Sequence, residues 1–327
     1  MSTHKHRPIL GDRRPRFAGL TTFMRLPHVT DPSQVDIAIV GVPWDASTVN
    51  RPGARHAPRQ IREMSGWMRL IHPTSGIAPY ELCSVADYGD VPVNPLNLQE
   101  TMGAITEAIR HISASGAAPL VVGGDHLTTL PVLRGLAPKE GPLGVIHFDA
   151  HSDTMDEIYG DKYNHATPFR RAVEEKLIDP RRTVQIGIRG SHYEPEPHRW
   201  ALEQGFRIIT IEEFYDLGIA KVIAEARRTL GAGPAYISFD VDGLDPSYAP
   251  GTGTPEVGGF TTLEAMRVIR GLEGLDIRGA DIVEVSPPFD TNNSTALVAA
   301  TLLFEILCVA AKAHAERQTR VPSANPD

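Results

Sequence analysis

Apolar, β-branched runs recur along the chain at Val35–Val42, Leu82–Val85, Pro119–Val122, Leu143–Phe148, Thr183–Ile188, Arg207–Ile211, Ala235–Phe239 and Ile277–Val285. Runs of this length and composition predict buried strands. Between and after them, apolar positions recur at helical spacing over Pro58–Leu70, Leu98–Ser115, Leu127–Leu136, Pro168–Lys176, Tyr193–Gln204, Ile219–Leu230, Thr262–Leu272 and Thr295–Ala315. Alternating strands and helices predict an α/β fold with a mostly parallel sheet and helices on both faces. No Ser/Gly-rich or charged linker interrupts the middle of the chain, so a single domain is expected over residues 18–320, with a disordered leader at 1–17 and a tail at 321–327.

The polar positions that break this pattern cluster where the strands end. After Val122 stands Gly123-Gly124-Asp125-His126, and after Phe148 stands Asp149-Ala150-His151-Ser152-Asp153. After Phe239 stands Asp240-Val241-Asp242, and Glu284 lies within the last apolar run. A parallel sheet gathers ligand-binding groups at the carboxyl ends of its strands, so these clusters are expected on one rim. Carboxylates with a minority of imidazoles suit Mn²⁺ and related six-coordinate ions. Asp149, His151, Asp153, Asp240, Asp242 and His126 are enough for two divalent ions that share carboxylates, lower the pKa of a water and polarise an electrophile. The ligands must be deprotonated, so metal affinity should fall with pH.

Some of these positions have plain structural readings. His126 alone would be an ordinary polar residue at a strand exit, and only its companions make it a ligand candidate. Asp125 and Asp245 read as braces for loops or for the groups around the ligands rather than as ligands. His147 points away from Phe148 across the strand and reads as a core histidine or a support for the ligands.

Composition narrows the class. The 327 residues are 41 % hydrophobic and 22 % charged, with a net charge of −8, so no basic footprint for nucleic acid or an anionic membrane is present. Cys83 and Cys308 are too few for a disulfide framework and lack zinc or redox spacing, which fits a reducing, cytoplasmic setting. The leader is basic and carries His4 and His6, but no signal-peptide apolar core follows it. Ala296–Ala311 is the most apolar late segment; it is broken by Glu305, falls short of the ~20 residues a bilayer needs, and reads as a buried helix.

The strings GGDH, DAHSD and FDVDGLDPSYAPGTGTP resemble the ureohydrolase family of arginases, agmatinases and guanidino-acid hydrolases. The resemblance runs from Phe23-Met24-Arg25-Leu26-Pro27 through Arg51-Pro52-Gly53-Ala54-Arg55 to Val283-Glu284-Val285-Ser286-Pro287-Pro288. PFRRAVEEKLIDP and VQIGIRGS are similar to guanidinopropionase, guanidinobutyrase and proclavaminate amidinohydrolase members. This implies a three-layer α/β/α sandwich assembled as a trimer or hexamer, with two divalent ions, Mn²⁺ most often and Ni²⁺ in some members. By the resemblance one ion would take His126, Asp149, Asp153 and Asp240, and the other Asp149, His151, Asp240 and Asp242. Glu284, which by itself reads equally well as a paired structural acid, would hold a guanidinium by its two oxygens. His165, by itself a loop histidine, would pass a proton to the leaving amine. Met155, Tyr163 and Asn164 would touch the substrate, a small guanidino compound split into urea and an amine.

The chain departs from these relatives near the expected mouth. Ala46-Ser47 follow Asp45, and Ala57 and Ala166 also stand where relatives carry glycine; each adds volume and restricts positive φ. Met155 stands where many relatives have asparagine, and Asp156, Glu157 and Asp161 oppose a single Lys162, which disfavours a carboxylate tail. The expected substrate is therefore either a guanidino acid such as 3-guanidinopropionate or an N-alkyl guanidine or biguanide of the metformin type. The alternatives are an agmatinase and a weakly active structural subunit beside an active paralogue.

Overall fold

The computed structural model of the chain describes residues 6–136 and 142–320, so the expected tail and the first five residues of the leader lie outside the described residues. Among the described residues eight strands form one sheet: β1 (Ile37–Gly41), β2 (Val85–Asp90), β3 (Ala118–Val122), β4 (Leu143–Phe148), β5 (Ile178–Ile188), β6 (Arg207–Thr210), β7 (Pro234–Asp240) and β8 (Asp276–Val283). Their order is β2-β1-β3-β8-β7-β4-β5-β6, and every neighbouring pair is parallel.

Among the described residues ten helices cover the sheet: α1 (Ala57–Ser65), α2 (Pro79–Leu82), α3 (Leu98–Ala114), α4 (Thr129–Leu136), α5 (Pro168–Glu174), α6 (Arg199–Gln204), α7 (Ile211–Leu217), α8 (Ile219–Leu230), α9 (Thr262–Arg270) and α10 (Ser294–Arg320). Alternate side chains of each strand feed two cores. Ile37, Ile39, Ile146, Phe148, Ile237 and Phe239 pack with α1, α2 and α7–α10. Ala38, Val40, Val145 and Tyr236 pack with α3–α6. This is the three-layer sandwich expected.

Differences from the expected elements have local causes. Leu82 ends the short helix α2, which starts on Pro79, and the strand begins only at Val85. β2 is an edge strand, and Asp87, Tyr88 and Asp90 hide it from a search for apolar runs. The helix expected at Tyr193–Gln204 starts at Arg199. Pro195 and Pro197 supply no N–H and hold the preceding residues extended, so this stretch becomes a loop. A helix not expected, α7, starts where the Thr210 side chain accepts from Glu213 N–H. Residues 6–17 contain neither helix nor strand, yet Ile9 N–H donates to Arg25 O at 3.1 Å and Arg7 bonds Glu81 at 3.0 Å.

Helix α10 is long and apolar enough by composition to cross a membrane, but 78 % of its most apolar window is buried inside the protein. Its buried Glu305 is bonded by Arg270 of α9 and faces His72 Nε2 at 3.0 Å, so the one acid in its apolar stretch is paired.

Candidate metal centre

Four strand ends converge as the sheet requires. His126 opens a short 3-10 turn just beyond β3, Asp149, His151 and Asp153 follow β4, Asp240 and Asp242 close β7, and Glu284 follows β8. The approach of the β3 loop demands glycine, because a Cβ on Gly124 would fall 1.4 Å from Trp44 O. Asp153 and Glu284 hold positive φ of 50° and 63°, the left-handed backbone that side chains adopt only when the surroundings impose it.

His126 is wholly buried. Its Nε2 lies 2.9 Å from Ser238 Oγ, while its Nδ1 has no hydrogen-bond partner and faces Asp153 Oδ2 at 2.9 Å, Asp149 Oδ2 at 3.1 Å and Asp240 Oδ2 at 3.2 Å. His151 Nδ1 faces Asp242 Oδ2 at 3.1 Å and Asp149 Oδ1 at 3.4 Å. Asp240 Oδ1 accepts from Asp242 N–H at 2.8 Å, and Asp242 accepts from Ala150 N–H and from Thr254 Oγ. The six residues named from the sequence are thus brought together. Ligand atoms of His126, His147 and Asp149, and of Asp149, His151 and Asp242, form two groups compact enough to hold an ion. His147 is the weak member, since both its nitrogens are engaged, with Asp149 Oδ2 and Gln185 Nε2.

The electrostatics ask for cations. Burial and the charges of Asp242 and Asp149 push Asp240 well above the usual carboxylate range. Burial and Asp149 lift Asp242 to about 6. Burial would lower His126 and His151, but the surrounding carboxylates outweigh it and draw protons onto both rings. An orphaned imidazole nitrogen amid three carboxylate oxygens, with no thiolate nearby, fits a divalent cation of the hard to borderline kind.

Glu284 Oε1 accepts from His126 N–H at 2.9 Å and faces His165 Nδ1 at 3.1 Å. Val49 N–H donates to His165 Nε2 at 3.2 Å. Burial would lower His165, but Glu284 outweighs it and lifts the ring to about 9. Asp125 braces a loop as expected from sequence, accepting from Ser47 N–H and Oγ at 2.9 and 2.6 Å.

The ring opens onto a cavity of about 580 Å³ whose walls include Arg51, Met155, His165, His192, His198 and Glu256. Tyr163 and Asn164 do not line it. Tyr163 lies under the Arg134 guanidinium, and the buried Asn164 accepts from Ala166 N–H and donates to Asp161 O, shaping the His165 loop. The acidic loop faces elsewhere too: Asp156 pairs with Arg171 at 2.6 Å, and neither Glu157 nor Asp161 lines the cavity. The sequence reading missed Thr254, which touches Asp242, and Glu256, 4.0 Å from His151 Nε2; the GTGTP string was their only signal.

Fold and metal-binding ring define a ureohydrolase: the family model described as "Arginase family" matches residues 35–309, and the chain belongs to that family. It is a hydrolase of C–N bonds in linear amidines. It is 56 % identical over 316 residues to guanidinopropionase of Pseudomonas aeruginosa, covering 96 % of this chain and 99 % of that one. It is 50 % identical over 294 residues to the mitochondrial agmatinase of Gallus gallus, covering 90 % and 86 %. The solved structure of proclavaminate amidino hydrolase from Streptomyces clavuligerus superposes with a TM-score of 0.88 at 40 % identity, covering 92 % of this chain and all of that one.

Proposed function

We propose that the chain hydrolyses a small guanidino acid, with 3-guanidinopropionate the leading substrate, to urea and an amino acid at two divalent cations, Mn²⁺ or Ni²⁺. The observation that carries this is the unpartnered His126 Nδ1 amid three carboxylate oxygens, beside the His151 group, in a ring whose His151, Asp153 and Asp240 line one cavity. His126, Asp149, Asp153 and Asp240 would hold one ion and Asp149, His151, Asp240 and Asp242 the other. When bound, the ions supply a water activated at neutral pH and Lewis-acid polarisation of the guanidine.

The remaining work falls to this chain's own side chains. Glu284 is buried behind the cavity wall, its Oε1 engaged by His126 N–H and facing His165 Nδ1, so Oε2 is the oxygen left to meet a guanidinium once the wall beside Gly253 gives way. His165 keeps its Nδ1 proton shared with Glu284, and a second proton on Nε2 is the one it can hand to the leaving amine once Val49 N–H gives way. Arg189 spends its guanidinium on backbone carbonyls of residues 242–257, which leaves Arg51 as the cavity-wall cation for a carboxylate tail. Met155 gives the tail an apolar flank.

Glu194 and Glu256 on the same wall favour a second reading, a cationic guanidine or biguanide such as agmatine or metformin. A urea-release panel of 3-guanidinopropionate, 4-guanidinobutyrate, agmatine and metformin, run with Mn²⁺ and Ni²⁺, decides between them. The highest kcat/KM for 3-guanidinopropionate is expected. A preference for agmatine or metformin would replace the guanidino acid by the cation, and no turnover with either metal would leave a structural subunit. Exposed Phe17, Leu20, Trp67 and Ile71 support assembly into a trimer or hexamer, for which light scattering at working concentration is the check.

A further inference from the structure

One buried acid has no part in the chemistry above. Asp281, 1 % exposed in the middle of β8, is met by three hydroxyls: Thr129 Oγ1 and Tyr236 OH donate to Oδ2 and Ser238 Oγ donates to Oδ1, each at 2.7 Å. A carboxylate buried on hydroxyls alone is costly to keep, so its consequences for its neighbours matter.

Asp281 belongs to a row. Across β8, β7, β4 and β5, the residues Asp281, Ser238, His147 and Gln185 are successive register partners, all buried. Their chain neighbours Ile282, Ile237, Ile146 and Ile186 pack into the α7–α10 side, so the row faces α3–α6, the side from which His126 approaches. It is a polar rung lying directly under the ligand ring.

Donor and acceptor roles in the rung are forced. A carboxylate can only accept, so the single proton of Ser238 is spent on Asp281. Towards His126 Nε2, at 2.9 Å, Ser238 then offers only lone pairs, and the ring must keep its proton on Nε2. Nδ1 is left as the nitrogen that can give up a proton and take a cation. At the other end, Gln185 Nε2 donates to Ser152 O at 2.6 Å, which fixes the orientation of the amide. The same nitrogen donates to His147 Nδ1 at 3.0 Å, so the His147 proton sits on Nε2 and goes to Asp149 Oδ2 at 2.7 Å.

We propose that this rung is a positioning device for the metal ligands: Asp281 acting through Ser238, and Gln185 acting through His147, dictate which atoms of His126 and Asp149 present lone pairs to the cations. It rests on the reading that the ring binds divalent ions. Outer partners that fix the tautomer and orientation of a ligand are worth about 10- to 100-fold in metal affinity.

The test is equilibrium dialysis of the metal-free full chain against Mn²⁺ alone, with bound metal counted per chain. Asp281→Asn keeps the shape but turns an amide N–H towards Ser238, freeing the Ser238 proton to point at His126 Nε2; about 10- to 100-fold weaker Mn²⁺ binding is expected. Ser238→Ala should also weaken binding, and adding Asp281→Asn to it should cost nothing more, because Asp281 acts only through Ser238. Thr129→Val and Tyr236→Phe strip the other hydroxyls from Asp281 and should bind Mn²⁺ as wild type does. The proposal is overturned if Asp281→Asn and Ser238→Ala keep wild-type affinity, if Thr129→Val and Tyr236→Phe lose as much as they do, or if the double variant loses the sum of both. Wild-type protein that binds no Mn²⁺ would instead remove the metal-centre reading on which it rests.

Discussion

The two halves of the ligand ring are built differently. His126 is wholly buried, bonded through Nε2, and faces three carboxylates. His151 has a side chain 34 % exposed to the cavity, and its Nε2 meets only Glu256 at 4.0 Å, beyond hydrogen-bond reach. On the reading proposed above, an ion held by the wholly buried His126 would reach the cavity only past Asp153 and Asp240, whereas one held by the part-exposed His151 would sit nearer the substrate. If the ring takes two ions as proposed, the difference teaches that such a site divides its labour: one half stores rigidity and the other keeps exchange open.

The strongest way to break the comparison is to remove what the halves share. Asp240→Asn is expected to lower urea release by more than the about 100-fold that loss of an outer partner costs, with bound Mn²⁺ falling in both halves. A smaller effect separates them. His126→Asn should weaken the tighter Mn²⁺ and His151→Asn only the weaker one, by about 10-fold less, as read from metal retained after graded chelation.

Acidity sharpens the contrast. Asp242 is lifted to about 6 by burial and Asp149, and a cation must displace the proton it carries below that value. Bound Mn²⁺ should therefore fall as pH drops through about 6, and since Asp240 is shared by both halves while Asp242 serves only the His151 half, that half should lose the more. Stability of the metal-free chain runs the other way. His165, Asp125 and Asp242 are raised to about 9, 7 and 6, so each stabilises the fold fully below its unfolded value and loses that contribution as pH rises through the folded value. Tm without metal should fall between about pH 5 and pH 9 while the gain in Tm on adding Mn²⁺ grows, and a metal-free Tm that rises over this range contradicts the assignment. The smallest effect lies at the cavity wall. Arg51→Gln should raise KM for 3-guanidinopropionate about 5-fold, the worth of one exposed ion pair, with kcat and agmatine turnover unchanged.

The ring was legible in the chain because each contributor directly ends an apolar run, and a parallel sheet leaves such residues only one rim to occupy. The cavity wall was not. Asp156, Glu157 and Asp161 read as an acidic mouth, yet Asp156 folds back onto Arg171, a partner fifteen residues away whose direction no local pattern reveals. Tyr163 and Asn164 stand beside His165 in sequence but turn from the cavity to shape its loop. The polar rung was invisible for another reason. Gln185, His147, Ser238 and Asp281 each stand between two apolar neighbours on four different strands, and only the order β8-β7-β4-β5 makes them a row; His147 alone reads from sequence as a support for the ligands.

Helix α10 packs on α1, α2, α9 and β8, elements that all precede it in the chain. It is also the last element among the described residues. The sheet can therefore pair before residues 294–320 have cleared the ribosomal exit tunnel, but the apolar surface of α1, α2, α9 and β8 that α10 covers stays bare until then. Nascent chains should thus lean on a holdase at this stage, and a stop codon placed before Ser294 should give insoluble protein even though every residue of the ligand ring has already been made.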